Sequence, residues 1–155
     1  MGLKDSLISW WALDEASGDA VDSHSSNTLT QNGTIGSAAG KVNTCRVFET
    51  LNTEFFNKTD DASLSMGDID FTIAGWINAT SLTGFFGCWG KSTTASTKEY
   101  HCFYSTSISR FRFAVSSDGT DGNTTFVNAD NLGAPSTGVW YFVVTSYDAL
   151  NNLVG

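Results

Sequence analysis

Residues 109–116 read Ser-Arg-Phe-Arg-Phe-Ala-Val-Ser, and this run constrains the chain more than any other stretch. Phe111, Phe113 and Val115 alternate with Arg110, Arg112 and Ala114. A helix, with its 3.6-residue period, cannot gather such a pattern on one face, whereas a strand does so at once. The alternation predicts a strand with its aromatics turned inward and both arginines turned outward. Composition generalises the point. Strong helix formers other than alanine number 25, against 54 β-branched and aromatic residues, with 15 glycines and one proline as punctuation. The chain reads as all-β.

Strand patterns recur at 8–13, 27–31, 42–50, 53–57, 70–78, 84–90, 99–105, 109–116, 124–128 and 139–147, separated by polar turn clusters such as residues 117–123. Ten short strands with such turns predict an antiparallel two-sheet sandwich. The chain has 155 residues and no linker or low-complexity tract, so a single domain over 1–155 is expected. Residues 71–77 and 139–144 are apolar on both parities and predict strands covered on both faces. Phe71, Ile73, Phe111, Phe113 and Phe142 are the expected core. Trp10, Trp11, Trp76 and Trp140 lie inside strand patterns and are read as core too.

Charge excludes some partners. Sixteen acids against eight bases give a net charge of −8, with no basic stripe to displace counterions from a phosphate backbone, so no nucleic-acid partner is expected. No apolar run approaches the ~18 residues of a membrane span, so no membrane insertion is expected. The N-terminus, MGLKDSLISWWALDE, has neither a long apolar stretch nor a small-residue cleavage site, and no signal peptide is read there. Three cysteines, Cys45, Cys88 and Cys102, form no metal-binding spacing. If 92–98 is a hairpin loop centred on Ala95, Cys88 and Cys102 face one another across it as two free thiols.

The order of motifs resembles a known family. Ser9-Trp10-Trp11-Ala12-Leu13-Asp14-Glu15-Ala16-Ser17-Gly18 resembles the opening YWxLDExSG of laminin G-like domains of the concanavalin A-like lectin/glucanase superfamily. Val21-Asp22-Ser23 with Asn27 resembles the xDSSGN element that follows, and Gly40-Lys41-Val42 with Val47-Phe48 resembles GKxGxAxxF. Residues 64–76, LSMGDIDFTIAGW, resemble LxxxDFTISAWV. Residues 110–113 and 137–141 resemble xLRFxV and tGxWYHVaxTYD. The resemblance implies a jelly-roll sandwich that is short of its last strands, because such domains continue past the strand ending in Tyr147-Asp148. It implies either that the chain is C-terminally incomplete, with further residues beyond Gly155, or that other protein subunits cover the open sheet edges near Trp10, Trp11 and residues 139–147. The start without a signal peptide means either that a leader has been removed or that the protein leaves its cell by lysis. The second route suits a bacteriophage virion, and a virion surface or extracellular location is expected.

Fold alone does not fix function. Glycoside hydrolysis needs two carboxyl groups about 5–9 Å apart. The glucanase ExDxxE strand is absent, and Asp68 and Asp70 read as turn caps, so no enzyme is expected. Hard oxygen donors for a structural Ca²⁺ concentrate in Asp14, Glu15, Asp19, Asp22 and Asn27. A glycan or cell-surface polysaccharide would need rings to stack on and polar groups to orient it. Trp89 and Tyr100, flanking 92–98, are the expected rings, with Asp118, Asp121 and Asn123 as polar contacts. The leading expectation is a non-catalytic carbohydrate- or surface-binding adhesion module on a larger assembly. The alternative is a structural virion component, a decoration or tail protein with no ligand.

Overall fold

The alternating run at 109–116 becomes one inner strand of a four-stranded sheet. A computed structural model describes residues 2–94 and 97–155. Every strand pairing among them is antiparallel, and the helical content is limited to short 3-10 turns of three or four residues. No helix among the described residues is long and apolar enough to cross a membrane. The chain is therefore all-β. It divides into two compact units, Met1–Leu64 and Ser65–Gly155.

In the N-terminal unit, β1 (Thr30–Asn32) pairs with a later strand, β4 (Phe55–Asn57), while β2 (Gly36–Ala39) and β3 (Thr44–Val47) form a hairpin. The strand predicted at 8–13 is reduced to one bridge, Trp11 to Asp22. Trp10 is 54% exposed, so its reading as core is corrected. The cause is visible in the hydrogen bonds. The backbone N–H of Trp10 is taken by the Asp22 carboxylate instead of a neighbouring strand. Among the described residues here, the buried apolar ones are Ala20 and Ile35, outnumbered by buried Asp22, Asn27 and Arg46. Phe48 packs edge-on against Phe56 at 5.6 Å, and the Arg46 guanidinium lies 5.2 Å over the same Phe56 ring.

The C-terminal unit holds two sheets. One is β5 (Phe71–Asn78), β10 (Trp140–Asp148) and β11 (Leu153–Val154), in the order β11-β10-β5. The other is the meander β6 (Phe86–Thr94), β7 (Thr97–Ser105), β8 (Arg110–Ser116) and β9 (Thr124–Asn128). They face each other across an aromatic core. Phe71 meets Tyr100 at 5.3 Å and Phe113 at 6.1 Å, Phe111 meets Tyr141 at 6.2 Å, and the Trp89 Nε1–H donates to Thr145 Oγ1 at 3.2 Å. Phe111 and Phe113 are 4% and 2% exposed, as the alternation requires.

Phe142 and Trp76, like Trp10, depart from the expected core. Phe142 is 56% exposed, and its direct cross-strand partner Trp76 is also exposed. The two rings contact each other at 5.1 Å on the outer face of the β5–β10 pair, with Val144 beside them. Apolar residues on both parities thus do not mark burial on both faces. One parity builds the core through Phe71, Ile73 and Val143; the other is turned to solvent.

Two corrections concern the β6–β7 hairpin. Pairing continues through Ser92–Lys98 to Thr94–Thr97, so most of the expected loop is strand, and its centre at Ala95 lies outside the described residues. A register shift between Gly87 and Trp89 sets Trp89, not Cys88, opposite Cys102. The extra residue in such a bulge turns Cys88 and Trp89 toward the same core. Cys88 and Cys102 still reach each other as free thiols. Their mutual hydrogen bond, then burial, pushes the Cys88 thiol well above its usual range.

Candidate functional site

The outward parity of the meander builds the site. On β7, His101 and Phe103 stand on the face opposite Tyr100, Cys102 and Tyr104. Cross-strand pairing sets His101 beside Ala114 of β8, and Ala114 beside Phe126 of β9. Phe103 likewise sits beside Arg112, and Arg112 beside Asn128. The outer face therefore carries a ring, a methyl group and a ring in one row, and a ring, a guanidinium and an amide in the next.

His101 and Phe103 stack at 4.4 Å with 21° between their planes, and Phe85 closes on Phe103 at 5.3 Å. The result is an aromatic ridge. Opposite it, the Arg112 guanidinium lies 4.4 Å over the Phe126 ring, and its Nε–H donates to Asn128 Oδ1 at 2.8 Å. Ala114 and Ser116 form the floor between ridge and stack. Because His101 and Phe126 are two strands apart, their backbones stand roughly 10 Å from one another. The open groove measures about 400 Å³ and lies entirely within the C-terminal unit. Gly90 helps to keep it open. A Cβ there would come within 2.8 Å of the Tyr100 carbonyl oxygen and 3.1 Å of His101 Cα, displacing the ridge.

Glu99 also lines the groove, but its charge is already engaged. Its carboxylate faces Lys91 Nζ at 3.4 Å and accepts from the backbone N–H groups of Met66 and Gly67.

Of the described residues expected to bind ligand, Tyr100 borders this groove, but its ring packs into the core. Tyr100 is 6% exposed and packs on Phe71; burial, with Glu99 adding to it, pushes its hydroxyl up to about 12. Trp89 is half-buried in the same core. Neither offers a free ring face. Asp118 and Asn123 do come together, in the β8–β9 loop. Asp118 accepts from Asn123 Nδ2 and from Thr120 N and Oγ1, and these bonds pull its carboxyl down to about 2. It organises its own turn. The Asp121 side chain lies outside the described residues.

The acidic stretch in the N-terminal unit is engaged by its own hydrogen bonds. Asp22 Oδ1 accepts from the N–H of Trp10, His24 and Ser25, and Oδ2 from Ser25 Oγ and Asn27 N. Burial raises the pKa of this carboxyl, but the hydrogen bonds outweigh burial and hold it far below the usual carboxylate range. Both oxygens are thus filled by donors, which a cation would have to displace. Asn27 gives its amide N–H groups to Ser9, Ser25 and Ser63. Glu15 accepts from Val21 N, and Asp19 from Gln31 N. Asp14 is exposed, its carbonyl taken by Thr44 Oγ1. Among the described residues no three His, Cys, Asp or Glu side chains converge as metal ligands. Their side chains instead form a hydrogen-bonded loop knot. Asp70, similarly, caps a turn by accepting from Ala149 N at 2.8 Å.

Comparison with protein-family models, with curated proteins and with solved structures found no match to the chain.

Proposed function

We propose that the chain is a non-catalytic carbohydrate- or surface-binding module of laminin G-like, jelly-roll type, displayed on a larger assembly such as a virion, and that the groove on the outer face of β6–β9 is its glycan site. One observation carries the reading. Phe85, His101 and Phe103 form a solvent-facing ridge of rings beside a small-residue floor and a fixed guanidinium. Exposed aromatic clusters of this kind are costly to leave in water and mark binding surfaces. A pyranose presents an apolar C–H face to such rings, while Arg112 and Ser116 line the groove with polar groups that orient a ligand.

The test is affinity electrophoresis through gels containing neutral and acidic polysaccharides. Retardation by at least one of them, weakened about tenfold by Phe103→Ala or Phe126→Ala (about 1.4 kcal/mol), is the expected result. Unretarded migration in every gel would overturn the reading.

A second reading, a structural component, rests on a different observation. β11 pairs only with Tyr147 and Asp148, so β10 has no second neighbour from Trp140 to Thr145 among the described strands. With Trp76 and Phe142 exposed beside it, this edge suits a strand from another subunit. Concentration-dependent sedimentation, abolished by Phe142→Lys, would favour that reading over a free-standing lectin.

A further inference from the structure

We propose that the groove takes an acidic saccharide, and that Arg112 receives the sugar's carboxylate; this rests on the groove being the glycan site. The chain carries 16 acids and only three arginines, yet two of the three are on the outer face of β8. The three arginines are spent differently. Arg46 is buried and gives its Nη groups to the carbonyls of Glu15 and Ile35 and to Gln31 Oε1. Arg110 caps the turn before β8 through the carbonyls of Ile108 and Ser109, with Asp130 at 3.8 Å. Arg112 uses only Nε, on Asn128, and one face, on Phe126.

Its two Nη groups therefore have no acceptor among the described residues. No carboxylate there neutralises it either, because Glu99 is held by Lys91 and two backbone N–H groups. The guanidinium is only half-buried, so these Nη groups stay within reach of a ligand's charge. Its chemistry selects the ligand. The planar fork of two parallel N–H donors matches a carboxylate in bidentate geometry. Asn128 and Phe126 fix the fork beforehand, so little side-chain entropy is lost on binding. Ala114 lies two residues along the same face, about 7 Å from Arg112. A sugar ring over Ala114, between His101 and Phe126, thus places a substituent carboxylate within reach of the fork.

Two matched ligand pairs test this on the full chain by titration calorimetry. One is oligogalacturonate against its methyl ester; the other is sialyllactose against lactose. We expect at least one acidic member to bind about tenfold or more tightly than its neutral partner, and to weaken as salt rises. Arg112→Gln should remove that preference and Arg112→Lys should keep part of it, since a lysine retains charge but not the fork. Equal binding of acid and neutral forms, or an acid preference untouched by Arg112→Gln, overturns the acidic assignment and leaves the glycan site standing. Arg112-dependent binding of dextran sulfate without either carboxylate overturns it in favour of a sulfate site. Binding of none of these and no polysaccharide retardation overturns both readings. Should Arg112→Gln unfold the chain, the matched pairs on the unaltered protein decide alone.

Discussion

The two units stabilise themselves by opposite means. In Ser65–Gly155, Phe111, Phe113, Tyr100, Tyr104 and Tyr147 fill the space between two sheets, and the buried polar residues among those described are Ser105 and Thr145. In Met1–Leu64, buried Asp22, Asn27 and Arg46 outnumber the buried apolar residues. The first is a volume problem, solved by close packing that tolerates any ring of suitable shape. The second is a satisfaction problem, in which each buried donor needs its own acceptor. Aromatic packing is broken by creating space. A polar knot is broken by removing one atom.

Phe113→Ala is the strongest way to break the first unit. It opens a cavity where the ring meets Phe71, and large aromatic deletions in cores cost about 3–5 kcal/mol. Native-state hydrogen exchange should show β7 and β8 losing protection while the Asp22 loop keeps its own. Loss of protection spread evenly over both units would deny that they are stabilised separately.

Asp22→Ala should strike the other unit. It leaves the N–H groups of Trp10, His24, Ser25 and Asn27 without their acceptor, each about 1–3 kcal/mol when buried. Water will reach some of them, so a net loss of about 2–3 kcal/mol is expected. Exchange in residues 8–28 should rise and that in β8 should not. Because the carboxylate is already filled, calcium and EDTA should leave the unfolding of this unit in place. A clear calcium-dependent stabilisation would restore the acidic loop as a metal site.

Much of this contrast can be read from the residues, and some cannot. Strands β5, β8 and β9 fall within a residue of their expected bounds, because period-two patterns flanked by turns leave one register. Arg110 and Arg112 stand outward as the alternation requires. The rings expected to meet ligand, Trp89 and Tyr100, pack in the core, and β7 carries rings on both parities. Tyr100, Cys102 and Tyr104 alternate with Glu99, His101 and Phe103, and nothing local says which set faces the core. The cue lay one strand away. Once Phe111 and Phe113 are inside, antiparallel pairing puts Tyr104 and Cys102 inside with them, and His101 and Phe103 outside. In the N-terminal unit the opening run looks like a strand, but its donors are drawn off by a carboxylate twelve residues away. Periodicity does not report such a side-chain acceptor.

Acid sharpens the comparison more gently. Asp22 has its pKa lowered on folding, so its contribution is complete above the unfolded value of about 3.9 and is lost as pH falls through the folded value. Below about pH 4 the melting temperature of the N-terminal unit should fall, and Asp22→Asn should flatten that dependence. Asp118 and Asp148 are also lowered, by Asn123 and Asn151 respectively, but both act in surface turns where solvent screens them. The C-terminal unit should therefore respond less. An equal acid response in both units would mean that the buried carboxylate is not what distinguishes them.

The smallest expected effect separates two phenylalanines of similar sequence context. Phe113 and Phe142 both lie mid-strand in apolar runs, but one is 2% and the other 56% exposed. Free energy of burial follows the area removed from water, so a ring that keeps more than half its surface has little to lose. Phe142→Ser should cost no more than about 1 kcal/mol, chiefly the ring contact with Trp76 and some strand propensity. Phe113→Ser should cost at least as much as Phe113→Ala. If Phe142→Ser instead destabilises the isolated chain as strongly as Phe113→Ser, the outer face of β5 and β10 is covered in solution. The rings of Trp76 and Phe142 would then belong to an interface, and the structural reading would gain on the lectin.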